Sequence, residues 1–321
     1  MPHAIVMTEP GDENVLVYIE VPQPVPGAGE VLVKMSATGI NFIDIYRRRG
    51  LYPVALPHIP GTEGAGEVVA LGPGVDDIEV GDKVAFAEGI NAYAEYAIVP
   101  AAKAMRVPDG VDMHTAAAIP LQGMTAHYLA RSTFPLEKGH VALIHAGAGG
   151  VGLLLTQLAK LHGATVITTV STPEKAELSK KAGADHVIDY ENFDKVVREL
   201  TDGVGVDVVY DGVGKDTFDQ SMTSLKVRGT LVLFGQSSGP VPPLDLQRLN
   251  AGGSLSVVRP SMGHYLLTRE EQDWRAGELF AAIAAGTLDV RIGKTYPLQN
   301  AADAHRELAG RKTTGKLLLI P

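Results

Sequence analysis

The sequence predicts an α/β fold: a doubly wound parallel sheet combined with a mostly β part. Three observations carry this. From about Pro120 to Val258, short apolar runs alternate with helix-length segments, the pattern of repeated strand–helix units. The first third carries short strand patterns punctuated by glycine and proline. The tail, from Arg269 on, reads as two helices and a closing strand and is expected to pack back on the first part.

Each element has its reason. Val15–Val21 is an apolar, β-prone run, and Val31, Val33 and Met35 alternate with other residues as a half-buried strand does. Pro22, Pro24 and Pro26 with Gly27 and Gly29 form a connector between them. Asn41 can cap a short helix that Gly50 ends. Gly61, Gly64, Gly66, Gly72, Gly74 and Gly81 then recur at strand-and-turn spacing, and Tyr93–Val99 reads as a further strand. In the alternating region the strands are His140–His145, Thr165–Val170, His186–Ile188, Val206–Asp211, Gly229–Phe234 and Ser254–Val258. The helices are Gly150–His162, Pro173–Ala182, Asn192–Leu200 and Lys215–Leu225. The tail gives helices over Arg269–Ala285 and Asn300–Leu308 and a strand over Lys316–Ile320.

Composition narrows the function. Of 321 residues, 45% are hydrophobic and 20% charged, a balance that excludes a disordered chain. The net charge of −9 disfavours nucleic acid and anionic lipid as partners. The densest basic run, Arg47-Arg48-Arg49, is too short for a nucleic-acid tract and reads as a solvated helix end. There is no cysteine, which removes disulfides, thiol nucleophiles and thiolate metal sites. No uncharged apolar stretch reaches the roughly 20 residues of a membrane helix, and no signal-like run opens the chain, so a cytoplasmic location is expected.

The chemistry-bearing motif is Gly147-Ala148-Gly149-Gly150-Val151-Gly152, with the G-x-G-x-x-G spacing at Gly147, Gly149 and Gly152. Alone the spacing is weak. Here it follows an apolar strand and opens an apolar helix, the context that identifies a Rossmann-type dinucleotide loop. The glycines allow a tight turn and a close backbone approach, and the helix N-terminus offers N–H groups to a diphosphate. An NAD-specific site places an acid about 20 residues on, for the ribose 2′-OH. Here the next strand ends in Val170-Ser171-Thr172, with no acid. Thr172 makes an N-cap with Pro173 at the first helical position, and Lys175 falls in the first turn. A cation there opposes the helix dipole, and a bound 2′-phosphate reverses that sign, so NADPH is the expected cofactor. The plain alternative is a lysine pointing into water.

The chain resembles the quinone oxidoreductase (zeta-crystallin-like) branch of the medium-chain dehydrogenase/reductase superfamily, nearly end to end. The resemblance rests on Gly39-Ile-Asn-Phe-Ile-Asp-Ile-Tyr46, Gly50-Leu-Tyr-Pro53 and Leu121-Gln-Gly-Met-Thr-Ala-His-Tyr128. It continues through Ile144–Gly152, Tyr210–Phe218 and Arg311-Lys-Thr-Thr-Gly-Lys316. One departure is Gly147, where many members carry alanine. The resemblance implies a GroES-like catalytic domain (residues 1–123 and 266–321) with a Rossmann NADPH-binding domain (124–265) inserted in it. It implies NADPH in the cleft between them, a quinone substrate, and a homodimer formed through the Rossmann sheet edges near Ser254–Val258. Carried over by residue, Asn41, Tyr46 and Tyr52 are the expected catalytic surroundings of nicotinamide and quinone, and Gln122 and Thr125 are nicotinamide neighbours. Gly149, Gly150, Val151 and Gly152 form the expected diphosphate loop. Thr172, Lys175, Tyr190 and Arg311 mark the 2′-phosphate end, and Phe234, Gly235 and Ser237 the loop after the fifth Rossmann strand. Read without the resemblance, Asn41 is a helix cap and Tyr46 and Tyr52 are core aromatics.

No metal is expected. Where zinc dehydrogenases of the superfamily hold a histidine ligand, the chain reads Gly61-Thr62-Glu63, and the ten histidines include no i, i+4 pair. A quinone needs no Lewis acid, only a ring stacked on the nicotinamide and a hydrogen-bond donor, which Tyr46 or Tyr52 can be. Two alternatives stand beside quinone reduction: NADPH-dependent reduction of activated alkenes such as enones, and a non-catalytic NADPH-binding or RNA-binding role.

Overall fold

The computed structural model describes all residues, 1–321, and divides into two units: Met1–Gln122 with Thr268–Pro321, and Gly123–Leu267.

In chain order the first unit begins with β1 (His3–Val6), β2 (Val17–Glu20), β3 (Glu30–Ile40), α1 (Phe42–Arg48), β4 (Gly64–Leu71), β5 (Lys83–Phe86), β6 (Tyr96–Pro100), β7 (Met105–Arg106), α2 (Met113–Ala118) and the start of α3 (Pro120–Tyr128). The second unit holds β8 (Val141–Ile144), α4 (Gly150–Leu161), β9 (Thr165–Thr169), α5 (Pro173–Lys181), β10 (His186–Ile188), α6 (Phe193–Leu200), β11 (Val206–Asp211), α7 (Phe218–Ser224), β12 (Leu225–Leu233), α8 (Gln247–Ala251) and β13 (Ser256–Val258). The chain returns to the first unit with α9 (Arg269–Ala284), β14 (Ile292–Pro297), α10 (Ala301–Ala309) and β15 (Lys316–Ile320).

The tail joins the first unit through its sheet. β15 pairs antiparallel with β3, giving the order β14-β15-β3-β4-β5-β7, and β6 also pairs with β3. Alternation in β3 decides which face is covered: Val31, Val33 and Met35 enter a core with Val68, Val84, Phe86, Ala97 and Val99. A second core forms where the tail arrives, around Ile5, Ile40, Tyr93, Tyr296, Leu317 and Leu319.

The second unit is one parallel sheet in the order β10-β9-β8-β11-β12-β13. Its central strands are buried because helices cover both faces; β11 is buried at every position, its two acids, Asp207 and Asp211, included. Leu143, Ile167, Val209, Phe218 and Leu231 build that core. The order reverses between β8 and β11, so the ligand crevice of such a sheet opens beyond the carboxyl ends of these two strands.

Two expectations change. The helix read over Lys215–Leu225 starts only at Phe218, because Asp211 captures the preceding loop: Oδ1 accepts from Val213 N at 2.8 Å and Gly214 N at 2.9 Å. The Arg47–Arg49 run is not a uniformly solvated helix end. Arg48 is 1% exposed, its Nη1 lying 3.3 Å from His305 Nδ1. Helical periodicity turns Arg48 inward with Asp44 and Ile45 while Arg49 faces out.

Candidate active site

The glycine turn lies at the carboxyl end of β8, at the reversal of strand order. Gly149 is the N-cap of α4, so the N–H groups of Gly150, Val151 and Gly152 begin the helix without intrahelical acceptors. Glycine is required sterically here. A Cβ on Gly152 would run into the Ala146 carbonyl, and one on Gly147 would lie 2.6 Å from Thr168 Cβ. The latter accounts for Gly147 in place of alanine, since Thr168, bonded to Ser179 Oγ at 2.7 Å, fills the space. Three N–H donors at a helix start, with backbone close behind them, fit a dinucleotide diphosphate.

β9 ends at Thr169, and Val170-Ser171-Thr172 follows it without an acid; the nearest, Glu174, is exposed in the first turn of α5. Thr172 caps α5, its Oγ1 accepting from Lys175 N at 3.3 Å, with Pro173 at the helix start. Lys175 Nζ donates to Ser171 Oγ at 3.2 Å, and partial burial lowers its pKa. Tyr190 reaches the turn from the exit of β10, its hydroxyl accepting the Ala146 N–H at 2.9 Å. Ala146 has φ 53°, a left-handed conformation that this bond supports. The strand ends thus gather Gly149–Gly152 and Tyr190 around one turn, with Ser171, Thr172 and Lys175 together beyond β9.

Phe234, Gly235 and Ser237 follow β12 and fold back on the loop after β11. Phe234 N donates to Asp211 O at 2.9 Å and Ser237 N to Gly212 O at 3.2 Å. Arg311 belongs to the other unit, in the turn after α10, exposed and with φ 55°. Gln122 and Thr125 sit three residues apart on α3, which starts in the first unit and ends in the second.

In the first unit, Tyr46 and Tyr52 meet edge to face, ring centroids 5.7 Å apart at 82°, and Phe42 lies 6.2 Å from Tyr46. Tyr52 is 37% exposed and Leu51 and Leu56 beside it are open to solvent, so this is an accessible aromatic shelf rather than a closed core. Asn41 holds the N-cap position of α1, but its carboxamide turns elsewhere. Nδ2 donates to Glu63 Oε2 at 2.6 Å, and Oδ1 accepts from Lys316 Nζ at 2.8 Å. Because Glu63 can only accept and Lys316 only donate, the amide orientation is fixed, with one Nδ2 proton left over.

Sequence reasoning missed the residues that hold Asn41. Glu63 and Lys316 form an ion pair 0% and 1% exposed, and Glu63 Oε1 also accepts the Leu121 N–H at 2.7 Å, beside Gln122. A Cβ on Gly39 would collide with the Glu63 carboxylate. Burial pulls the Lys316 pKa down and Glu63 opposes it. Next to it, Asp44 Oδ2 accepts from Asn41 N at 2.9 Å and from Tyr93 Oη at 3.1 Å, and Tyr93 Oη lies 2.9 Å from His305 Nε2. Burial raises Asp44 to about 6 and lowers His305 to about 3. The available signal was a set of ionisable residues inside apolar runs: Lys316 heads Leu317–Ile320, and Glu63 precedes Gly64-Ala65.

The donor set does not fit zinc. No group of three or more His, Asp or Glu side chains gathers in a ligand-like cluster, and the carboxylate beside Thr62 is bonded to an ammonium.

Comparison with known proteins follows the same lines. Residues 150–281 match the family described as zinc-binding dehydrogenase, and residues 27–109 match the alcohol dehydrogenase GroES-like domain. The chain is 47% identical to a quinone oxidoreductase of Pseudomonas aeruginosa, over 97% of each chain. It is 41% identical to a 2-haloacrylate reductase of a Burkholderia species, over 99% of this chain and 98% of that one. A mycobacterial protein solved in complex with NADPH superposes with a TM-score of 0.97 at 53% identity, over 99% of this chain and 100% of that one. The split first unit, the parallel sheet with its glycine turn, and these end-to-end matches together establish that the chain belongs to the quinone oxidoreductase branch of the medium-chain dehydrogenase/reductase superfamily.

Proposed function

We propose that the protein is an NADPH:quinone oxidoreductase that works without a metal. One observation carries it: the strand-end turn built for a dinucleotide diphosphate is followed, beyond β9, by Val170-Ser171-Thr172 with no acid at the strand end, and by Lys175 in the next helical turn, where the neighbouring Glu174 is exposed. The whole-length likeness to a quinone oxidoreductase names the acceptor.

When bound, NADPH supplies a hydride equivalent, two electrons and one proton. The protein's residues do the rest. Gly150, Val151 and Gly152 hold the diphosphate; Thr172, Lys175, Tyr190 and Arg311 receive the 2′-phosphate end; Gln122, Thr125, Phe234, Gly235 and Ser237 border the nicotinamide half. Tyr46 and Tyr52 form the shelf for a flat conjugated ring, and a hydroxyl or water gives the second proton to the oxyanion that develops there. Asn41, fixed by Glu63 and Lys316, presents its remaining N–H. Residues 124–265 are assigned to the cofactor and 1–123 with 266–321 to catalysis.

The proposal includes a homodimer joined through β13, which pairs with β12 on one side only, and a cytoplasmic location, for which the cysteine-free composition is suited. The 2-haloacrylate reductase likeness favours reduction of activated alkenes as the second reading. Steady-state NADPH oxidation with purified protein separates the two: quinones are expected to give the higher kcat/KM. An enone or haloacrylate far above every quinone tested would replace the first reading by the second.

A further inference from the structure

We propose that Asp211, Ser221 and His145 form a positioning chain that ties the glycine turn, across the reversal of strand order, to the loop after β11, on which the Phe234–Ser237 segment of the NADPH site rests. The inference rests on the NADPH reading above and concerns only the second unit.

β8 and β11 are the strands between which the order reverses. His145 is the first residue after β8 and leads directly into the glycine turn. Asp211 is the last residue of β11 and leads into the loop Gly212–Thr217. Both side chains are buried, at 1% and 0% exposure. They are joined through Ser221 on α7: His145 Nε2 lies 2.8 Å from Ser221 Oγ, and Ser221 Oγ donates to Asp211 Oδ2 at 3.0 Å. The other imidazole nitrogen, Nδ1, lies 2.8 Å from Thr169 Oγ1 at the end of β9.

The order of protons along this chain is determined. An Asp211 carboxylate only accepts, and its four contacts are all donors: Val213 N, Gly214 N, Thr217 Oγ1 at 2.7 Å and Ser221 Oγ. Ser221 has one proton and gives it to Asp211, so it must accept from His145, which is therefore the Nε2–H tautomer. Nδ1 is then bare and accepts from Thr169. Burial keeps the ring neutral, as this order needs.

Each end of the chain sets one loop. Asp211 draws in two amides and a hydroxyl of the loop after β11, and its carbonyl takes the Phe234 N–H of the neighbouring loop. The His145 ring stacks on Tyr190 with centroids 6.0 Å apart at 22°, and Tyr190 holds the Ala146 N–H of the glycine turn. Phe193 closes the ring edge-on at 4.8 Å. A fully satisfied buried network of this kind specifies one arrangement where an apolar core would allow several. In the NADPH reading above, the cofactor spans the glycine turn and the Phe234–Ser237 segment, which is bonded to Asp211 and Gly212. A fragment carrying only the adenosine 2′-phosphate half meets one of them.

Ser221→Ala cuts the chain and removes one oxygen. Calorimetric titration of the full-length protein should show NADPH binding weakened about five- to tenfold, the size of one buried hydrogen bond. Adenosine 2′,5′-bisphosphate should change less than twofold, and Ser221→Thr should restore NADPH binding. In the wild-type protein, ¹⁵N spectra should report His145 as the Nε2–H tautomer. Unchanged NADPH affinity in Ser221→Ala, equal weakening of NADPH and the bisphosphate, or an Nδ1–H tautomer would each overturn the chain. A wild-type protein that binds neither ligand would overturn the NADPH reading itself, a separate failure.

Discussion

The two units bury polar groups by different means. The first buries formal ions: Lys316 against Glu63, Asp44 beneath Asn41, and Arg48, whose Nε and Nη2 have no hydrogen-bond partner. The second buries a neutral imidazole and hydroxyls around the Asp211 carboxylate, which is satisfied by two amides and two hydroxyls; its other buried acid, Asp207, pairs with a Lys226 that is partly open to solvent. The difference sets what a mutation costs. Removing one partner of a buried ion pair leaves an uncompensated charge, whereas trimming a hydroxyl leaves a gap or room for water. Stability should therefore be most sensitive in the first unit, and ligand geometry in the second.

The largest expected effect follows directly. Lys316→Met strands the Glu63 carboxylate and should cost about 3–5 kcal/mol in urea unfolding. Adding Glu63→Gln should recover most of it, since a neutral pair needs no counter-ion. A single variant as stable as wild type would mean that the pair contributes nothing and that the contrast between units fails.

A smaller effect appears in the pH dependence. His305, at about 3 when folded, takes up its proton more readily unfolded, so its contribution to stability is lost as pH falls below the usual histidine range. Asp44, at about 6 when folded, holds its proton more tightly folded, so stability is gained as pH falls from about 6 towards the ordinary carboxylate range. Between about pH 4 and 6 the two slopes oppose. Asp44→Asn removes the second, and the variant should lose stability by about 1.4 kcal/mol per pH unit more steeply than wild type over that window. Parallel Tm–pH curves would show that Asp44 does not titrate there. The smallest expected effect is none at all: incubation with a chelator should leave quinone reductase activity unchanged. Stoichiometric zinc whose removal abolishes activity would contradict the donor-set argument.

What the sequence made legible divides along a related line. The glycine turn, the Thr172 cap and the strand–helix alternation are local, and their residues adjoin in the chain, so spacing alone locates them. Glu63 and Lys316 are joined by a fold in which the tail returns to β3, and a spacing of 253 residues carries no periodic signal. His145 and Ser221, 76 residues apart, are likewise joined only by the sheet. Arg48 was obscured differently, because a run of three arginines gives no hint which of them the helix turns inward.

The proposed function divides the labour: the 2′-phosphate is recognised chiefly beyond β9 in the second unit, with Arg311 of the first added, and the acceptor on the Tyr46 shelf of the first. Steady-state kinetics of Lys175→Ala and Tyr46→Phe, measured side by side, test it most directly. Lys175→Ala should raise KM for NADPH about ten- to a hundredfold, the worth of a charge-assisted hydrogen bond, and leave NADH and quinone constants near wild type. Tyr46→Phe should alter kcat/KM for the quinone and leave KM for NADPH unchanged. If Lys175→Ala weakens NADPH and NADH equally, or if both variants move the same constant, the assignment of the two functions to the two regions is wrong.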